Sequence, residues 1–197
     1  MTGMDATTDP FVLFQSWLTH AHEHEPVDPT AMALATASAT GRPAVRMVLL
    51  KHADPHGFVF YTHTTSPKGR DLATNPRAAL CFHWAKSERQ IRIEGTIEFT
   101  TAVEADAYFT TRPRLSQIGA WASRQSEPMQ NRFELEQAVA LNSLRFGISK
   151  VPRPSYWNGY RVVPEKIEFW QQRAFRHHDR RVFIRDGNSW LATWLFP

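Results

Sequence analysis

The sequence predicts a protein of the α+β or mainly β class, built as a small β-barrel with flanking helices. Many short apolar or alternating segments are separated by turn residues, a pattern that is typical of barrel strands. A few other segments carry the apolar spacing of amphipathic helices. We expect one domain over residues 9–197 and a disordered tail over residues 1–8, because 197 residues with 42% hydrophobic content can form one substantial core.

The first half of the chain contains two helix signals and five strand signals. Asp9-Pro10 and Ser66-Pro67 each place an N-cap residue before a proline at the first helical position. They predict helices that run to about His24 and to Thr74. The predicted strands cover residues 31–38, 43–51, 58–62, 77–84 and 89–100.

The second half begins with three predicted helices and ends with four predicted strands. The helices cover residues 101–109, 116–124 and 127–146. A proline-rich joint at residues 151–154 leads to strands over 156–162, 166–171, 180–185 and 189–194. Asp186-Gly187 predicts the turn of the last hairpin.

Composition narrows the class of function. A net charge of +4 favours an anionic small molecule, whereas a nucleic-acid site would need a clustered basic stripe that the scattered arginines do not form. Cys81 is the single cysteine, which excludes an internal disulfide and a multi-cysteine metal site. No signal peptide and no apolar run of bilayer length is evident, so we expect a cytoplasmic protein without membrane contact.

Tyr108, Arg112 and Ser116 are the most informative residues of the chain. Their spacing of four residues places a phenol, a guanidinium and a hydroxyl on one helix face, a combination that suits a phosphate. Pro113 disfavours a continuous helix, so we expect two short helices to meet here with Ser116 near the start of the second. A surface helix with an isolated arginine remains the alternative interpretation.

Further cations occur on a strand and at a helix start. Arg46 and Lys51 bracket an apolar strand, and strand alternation predicts that they lie on opposite faces. Ser66 and Lys68 lie at the start of a predicted helix, where free amide groups and a cation favour an anion.

The segment after Trp170 forms another candidate site. Arg176, His178 and Arg180 alternate, so in an extended chain they face the same way and suit a polar aromatic ligand. A metal site at His177, His178 and Asp179 competes with this interpretation. We expect no metal, because adjacent histidines point apart and further ligands are not evident.

Several sequence motifs of known chemistry are absent. The chain has neither a Gly-x-Gly-x-x-Gly motif after a strand nor a phosphate-binding P-loop, so side chains must hold any phosphate. A Gly-x-Ser-x-Gly elbow is also missing, and Cys81 has no evident base, so nucleophilic catalysis is not supported.

Taken together, these segments resemble the pyridoxine (pyridoxamine) 5′-phosphate oxidase family. The resemblance runs from about Asp9 to Pro197 and rests on many ordered matches. The matching segments are residues 28–32, 46–51, 60–62, 88–90, 112–121, 124–126, 167–170 and 176–180.

The resemblance implies an FMN-binding split β-barrel that forms a homodimer with FMN at the subunit interface. It also implies the reaction. Pyridoxine or pyridoxamine 5′-phosphate transfers a hydride to FMN and becomes pyridoxal 5′-phosphate, and O2 then reoxidises the flavin and yields hydrogen peroxide.

The resemblance assigns roles to individual residues of this chain. The implied FMN contacts are Arg46, Met47, Val48, Leu49, Leu50, Lys51, Tyr61, Thr62, Ser66, Lys68, Gln90, Gln125, Ser126, Trp170 and Arg180. Gln125 and Ser126 are expected to reach the flavin from the partner subunit. The implied substrate-binding residues are Lys51, Tyr108, Arg112, Ser116, Arg176 and His178. Arg176 and His178 are also the expected catalytic residues, which hold the pyridine ring against the flavin.

Three departures from the family pattern bear on function. Pro67 stands where the family often has a second cation for the FMN phosphate. Gln172-Arg173 replaces a Gly-Gly pair, which predicts a reshaped loop before Arg176, and Trp194 replaces a basic residue. Two alternatives remain open: a sister flavin oxidase of the phenazine-biosynthesis type, and a non-catalytic protein that binds flavin or pyridoxal phosphate.

Overall fold

The central element of the fold is one curled antiparallel sheet. The computed structural model describes Met4 and residues 7–197. Within these residues the strands are β1 (Ala31–Ala37), β2 (Pro43–Leu49), β3 (His52–Asp54), β4 (Gly57–His63), β5 (Arg77–Trp84), β6 (Arg89–Phe99), β7 (Trp157–Gln171), β8 (Asp179–Asp186) and β9 (Ser189–Trp194). The order β2-β1-β5-β6-β7-β4-β3 is extended by β8 on β7 and by β9 on β8.

Five α-helices flank the sheet among the described residues. They are α1 (Pro10–His24), α2 (Pro67–Thr74), α3 (Ala102–Thr111), α4 (Arg114–Ala122) and α5 (Glu134–Phe146). The expected caps are confirmed, since Asp9 accepts from the Phe11 amide and Ser66 accepts from the Gly69 amide. No described helix is both long and apolar enough to cross a membrane.

Two apolar clusters hold the fold together. In the larger one, Phe14 and Trp17 of α1 pack inside the curled sheet against Phe58, Phe82 and Phe169. The smaller one joins α3 and α4 to the start of β7 and contains Phe109, Ile118, Ala120, Val151 and Trp157. The predicted barrel with flanking helices is therefore confirmed, and the smaller cluster fixes the helices that carry the predicted phosphate ligands.

The strand β7 is continuous, although the sequence predicts two strands. Glu94 pairs with Lys166 and the next residue, Gly95, pairs with Pro164, so Glu165 is an extra residue in a β-bulge. The alternation therefore changes phase here, and a pattern with a period of two cannot follow it. Two further differences are that α5 begins at Glu134, later than expected, and that β3 is an additional short strand.

The predicted disordered tail cannot be followed through the structure. Residues 1–3, 5 and 6 of that tail lie outside the described residues. Met4 is described, and its side chain is buried in the larger cluster. The division into a tail and one domain stays a prediction.

Candidate active site

A cavity of about 550 Å³ opens beside β2, β4, the start of α2 and the α3–α4 junction. Its lining residues are Arg46, Met47, Val48, Leu49, Lys51, Tyr61, Thr62, Pro67, Lys68, Tyr108, Arg112, Gln125, Ser126 and Trp157. All of them except Pro67 and Trp157 are predicted site residues. The structure thus brings residues that are distant in sequence into one cavity, which is of ordinary size for a cofactor or small-molecule site.

Arg46 and Lys51 both line this cavity, so their predicted placement on opposite faces is wrong. The reason is that β2 ends at Leu49. The Leu50 amide donates to the Thr30 carbonyl and the Lys51 amide donates to the Val59 carbonyl, so the chain turns before Lys51. Strand alternation therefore does not extend to the lysine.

Lys68 is a buried cation that contacts neutral oxygens. Its Nζ donates to Gln125 Oε1 at 2.9 Å and to Thr62 Oγ1 at 3.2 Å. Burial, assisted by the nearby charge of Arg46, lowers the pKa of Lys68 to about 8. Because a bound anion would restore the charged form, this position suits a phosphate.

Arg112 lies at the point where α3 and α4 meet. Arg112 is the C-cap of α3 and Pro113 is the N-cap of α4, so the predicted junction of two helices is confirmed. The Nη1 atom of Arg112 is buried and has no hydrogen-bond partner among the described residues. Burial lowers the pKa of Arg112, and the partner that opposes this shift is the Tyr108 phenol rather than a carboxylate. A buried donor of this kind is costly unless an anion binds it.

Eight of the predicted site residues do not line the cavity, and Leu50, Ser66 and Ser116 are three of them. Leu50 is buried in the larger apolar cluster. Ser66 is fully buried, and its hydroxyl donates to the His63 carbonyl while it caps α2. Ser116 lies in the first turn of α4, as expected, where its amide donates to the Pro113 carbonyl.

Gln125 and Ser126 line the cavity of their own chain. Gln125 accepts hydrogen bonds from both Thr62 and Lys68, so the expectation that these two residues reach the site from the partner subunit is wrong. Ser126 has a left-handed backbone (φ 68°), which is uncommon for a residue with a side chain. The loop after α4 thus closes one side of the cavity.

The remaining predicted residues, named the second cluster, lie on β6, on β7 and on the segment around the start of β8: Gln90, Trp170, Arg176, His178 and Arg180. None of them lines the cavity. The sheet register pairs Gln90 with Trp170 and Trp170 with Arg180, so these three residues form a row across β6, β7 and β8. The His178 ring lies 4.8 Å from the Trp170 ring.

Arg180 and His178 are each held by neighbouring groups. Arg180 Nε donates to Glu168 Oε1 at 2.8 Å, and Arg180 Nη1 donates to the Phe196 carbonyl at 3.0 Å. The Arg173 amide donates to His178 Nδ1 at 3.2 Å, so the ring proton of neutral His178 lies on Nε2. The loop before them is strained, because Phe175 and Arg176 have φ values of 56° and 63°.

Comparison with known proteins decides the family. The model of the family described as pyridoxamine 5′-phosphate oxidase matches residues 18–142. The chain belongs to this family. A second model, described as the C-terminal dimerisation region of pyridoxine 5′-phosphate oxidase, matches residues 157–197, the segment that contains most of the second cluster.

Relatives of known name or structure support membership of the pyridoxamine 5′-phosphate oxidase family. A protein of Rhodopseudomonas palustris named pyridoxine/pyridoxamine 5′-phosphate oxidase is 56% identical over 194 residues, covering 98% of this chain and 92% of the relative. The structure of PhzG from Burkholderia lata with tetrahydrophenazine-1-carboxylic acid has a TM-score of 0.90 at 34% identity, covering 98% and 95%. A related FMN-binding protein from Nostoc punctiforme shares the fold, with a TM-score of 0.78 at 16% identity, covering 97% and 100%.

Sequence reasoning assigned no role to two residues of this family member, Trp157 and Glu168. Trp157 lines the cavity, but an apolar residue at a strand start gives no signal beyond core packing. Glu168 holds Arg180 and also accepts from Arg92 Nη1 at 3.3 Å. Its acidic side chain within an apolar strand was the signal that could have found it.

Proposed function

We propose that the protein is an FMN-dependent oxidase that converts pyridoxine 5′-phosphate or pyridoxamine 5′-phosphate to pyridoxal 5′-phosphate. O2 is the electron acceptor and hydrogen peroxide is the product. The observation that carries the proposal is one cavity lined by both Lys68, a buried lysine, and Arg112, a half-buried arginine whose buried Nη1 has no hydrogen-bond partner among the described residues. Such a cavity suits two phosphorylated ligands, and the 56% identical relative bears the matching name.

The residues around Lys68 fit the phosphate of FMN. Lys68 supplies a cation, and burial disfavours its charged form until an anion binds. Thr62 and Arg46 lie beside it in the cavity and add donors. FMN held there would supply the acceptor for the hydride of the substrate and the route by which electrons reach O2. The chain's own part is to hold the two ligands in register and to exclude water.

Arg112, Tyr108 and Lys51 fit the phosphate of the substrate. Burial raises the pKa of Tyr108, so its phenol stays protonated and can donate to a phosphate oxygen. The unpartnered Nη1 of Arg112 provides a charge-assisted donor. Ser116, in the first turn of α4 close to Arg112 in the chain, would add a hydroxyl to the same phosphate.

The second cluster completes the site in a homodimer. Gln90, Trp170 and Arg180 lie away from the cavity of their own chain, and most of the cluster falls in the segment that matches the dimerisation region. We infer that each cavity receives these residues, together with Arg176 and His178, from the partner subunit. His178 then offers its Nε2 proton to the pyridine ring, because Nδ1 is occupied.

A phenazine-type oxidase is the second candidate, favoured by the TM-score of 0.90 with PhzG. A phosphate-free tricyclic substrate would leave Arg112 without an anion, so the first candidate agrees better with the cavity.

The deciding experiment is anaerobic reduction of the FMN-loaded protein. Pyridoxamine 5′-phosphate should bleach the visible flavin absorbance, and admitted air should restore it with formation of pyridoxal 5′-phosphate. Flavin that stays oxidised with both phosphorylated vitamers would overturn the proposal. Reduction by a dihydrophenazine alone would instead support the second candidate.

A further inference from the structure

Arg112 contacts aromatic rings, whereas Arg161 contacts carboxylates. Its Cζ lies over the Trp157 ring, 4.9 Å from the centroid, and 5.6 Å from the centroid of Phe109. In contrast, Arg161 lies within 3.5 Å of three carboxylates, those of Asp54, Glu98 and Glu104. Within the described part of the chain, the guanidinium of Arg112 is therefore stabilised by ring faces and not by a carboxylate.

Trp157 is itself firmly placed. It is 4% exposed, and its indole stacks on Tyr61 with 4.9 Å between centroids and 10° between planes. Phe109 packs edge-on against it at 5.1 Å. Its backbone is also held, because the Trp157 amide donates to the Pro154 carbonyl and Arg153 Nη1 donates to the Trp157 carbonyl. A ring that cannot rotate fixes the plane on which the guanidinium rests.

The same stack includes a second residue of the proposed phosphate site. The Tyr108 ring lies 4.2 Å from the Tyr61 ring at 17°, and it is nearly parallel to the indole at 6.1 Å. Tyr61 therefore lies between Tyr108 and Trp157, and all three rings line the cavity.

We propose that Trp157 is a positioning residue that holds Arg112 ready for the substrate phosphate. A carboxylate in its place would neutralise the guanidinium and occupy its N–H donors. A ring face stabilises the cation from above and leaves the donors in the guanidinium plane available to an anion. This inference rests on the proposed function, because the anion is the phosphate of the B6 vitamer.

The test compares binding of pyridoxal 5′-phosphate and unphosphorylated pyridoxal to the FMN-loaded enzyme by calorimetry. Trp157→Leu removes the ring face, and we expect the preference for the phosphorylated ligand to fall roughly 3- to 30-fold. Trp157→Phe keeps a smaller ring, so its preference for the phosphorylated ligand should lie between that of the wild type and that of Trp157→Leu. In steady-state assays KM for the phosphorylated substrate should rise more than kcat falls, with FMN affinity unchanged.

Two controls separate positioning from general loss of packing. Trp84→Leu empties a similarly buried site in the larger cluster and should leave the preference for phosphate unchanged. In an Arg112→Ala background, Trp157→Leu should have no further effect on this preference.

The outcomes distinguish the two proposals. A wild-type enzyme that prefers the phosphorylated ligand, with Trp157→Leu preserving this preference, would overturn the role of Trp157 alone. A wild-type enzyme without any preference would overturn the proposed function and this inference with it. If Trp157→Leu does not fold, Trp157→Phe decides, because a preference equal to that of the wild type contradicts the positioning role.

Discussion

Lys68 Nζ donates to Gln125 Oε1 at 2.9 Å, although the two residues lie on different elements and 57 positions apart. This bond joins the first turn of α2 to the loop after α4. It gives the ammonium an oxygen partner without a charge, so burial dominates and lowers the pKa of Lys68 to about 8.

FMN affinity should therefore depend on pH. In the proposed site, Lys68 is protonated below pH 8 and would bind the flavin phosphate, whereas above pH 8 the free protein has lost this proton. We expect the Kd to be flat from pH 7 to 8 and to rise toward pH 9.5, up to roughly tenfold per pH unit. Flavin fluorescence titration measures it. Lys68→Arg should give a flat profile, and a steep rise in that variant would assign the effect to another group.

Lys68 should also make the FMN-free protein less stable. Its pKa is lower in the folded state than the usual 10.5, so the unfolded state binds more protons between pH 8 and 10.5. The lysine therefore contributes a stability deficit that is full below pH 8 and disappears as the pH rises. Lys68→Met should raise the apo-protein Tm at pH 7 while FMN binding weakens. An unchanged or lower Tm would contradict this expectation.

Replacing Pro67 with a cation should increase the affinity for FMN. It lines the cavity at the first position of α2, where the family often has a cation. Pro67→Arg should tighten FMN binding by about tenfold, because a hydrogen bond to a charged phosphate contributes roughly 1.5–3 kcal/mol. Pro67→Ala is the matched control for loss of the proline. An equal change of FMN affinity in both variants would show that the added charge is not the cause.

Mutations in the proposed substrate-phosphate site should weaken substrate binding more than FMN binding. Lys51→Ala and Arg112→Ala should each raise KM for pyridoxamine 5′-phosphate about ten- to a hundredfold, from the same strength of charged contact. FMN affinity should change little for Arg112→Ala, since we propose that Lys68 and not Arg112 binds the flavin phosphate. Steady-state kinetics and fluorescence titration give the two numbers, and an unchanged KM in both variants would refute the phosphate site.

If each active site contains residues of both subunits, two inactive variants should restore activity when they are combined in one dimer. Arg112→Ala damages the cavity and Arg180→Ala damages the second cluster, so each homodimer should be nearly inactive. After unfolding and refolding together in equal amounts, random pairing should recover about a quarter of wild-type activity, because half of the dimers carry one intact site. A mixture no more active than its components would place all the ligands within one chain.

Much of the fold could be predicted from the sequence, because local signals carry it. Asp9 and Ser66 act as N-caps where expected, and β5 and β9 have the predicted bounds. Pro113 also marks the α3–α4 junction correctly, since a proline restricts the residue before it. The chemistry of short segments is sufficient for these features.

The rest of the site depends on contacts between distant segments. Neither the cavity position of Lys51, set by the end of β2, nor the bonds of Gln125 can be read from spacing. Trp157 was missed for the same reason, because only the packed structure shows which of the seven tryptophans contacts Arg112. Whether the second cluster enters the cavity of the partner subunit stays a prediction.

Glu165, the extra residue of the β7 bulge, changes the parity of the residues that β7 turns toward the core. Before it Tyr160 and Val162 belong to the core, and after it Ile167 and Phe169 do, so even positions give way to odd ones. A single-codon deletion at Glu165 would leave Glu94–Lys166 and Gly95–Pro164 as consecutive pairs of a regular ladder, so Ile167 and Phe169 would stay in the core. The bulge is therefore a place where β7 can lose one residue without exchanging the two faces of the strand.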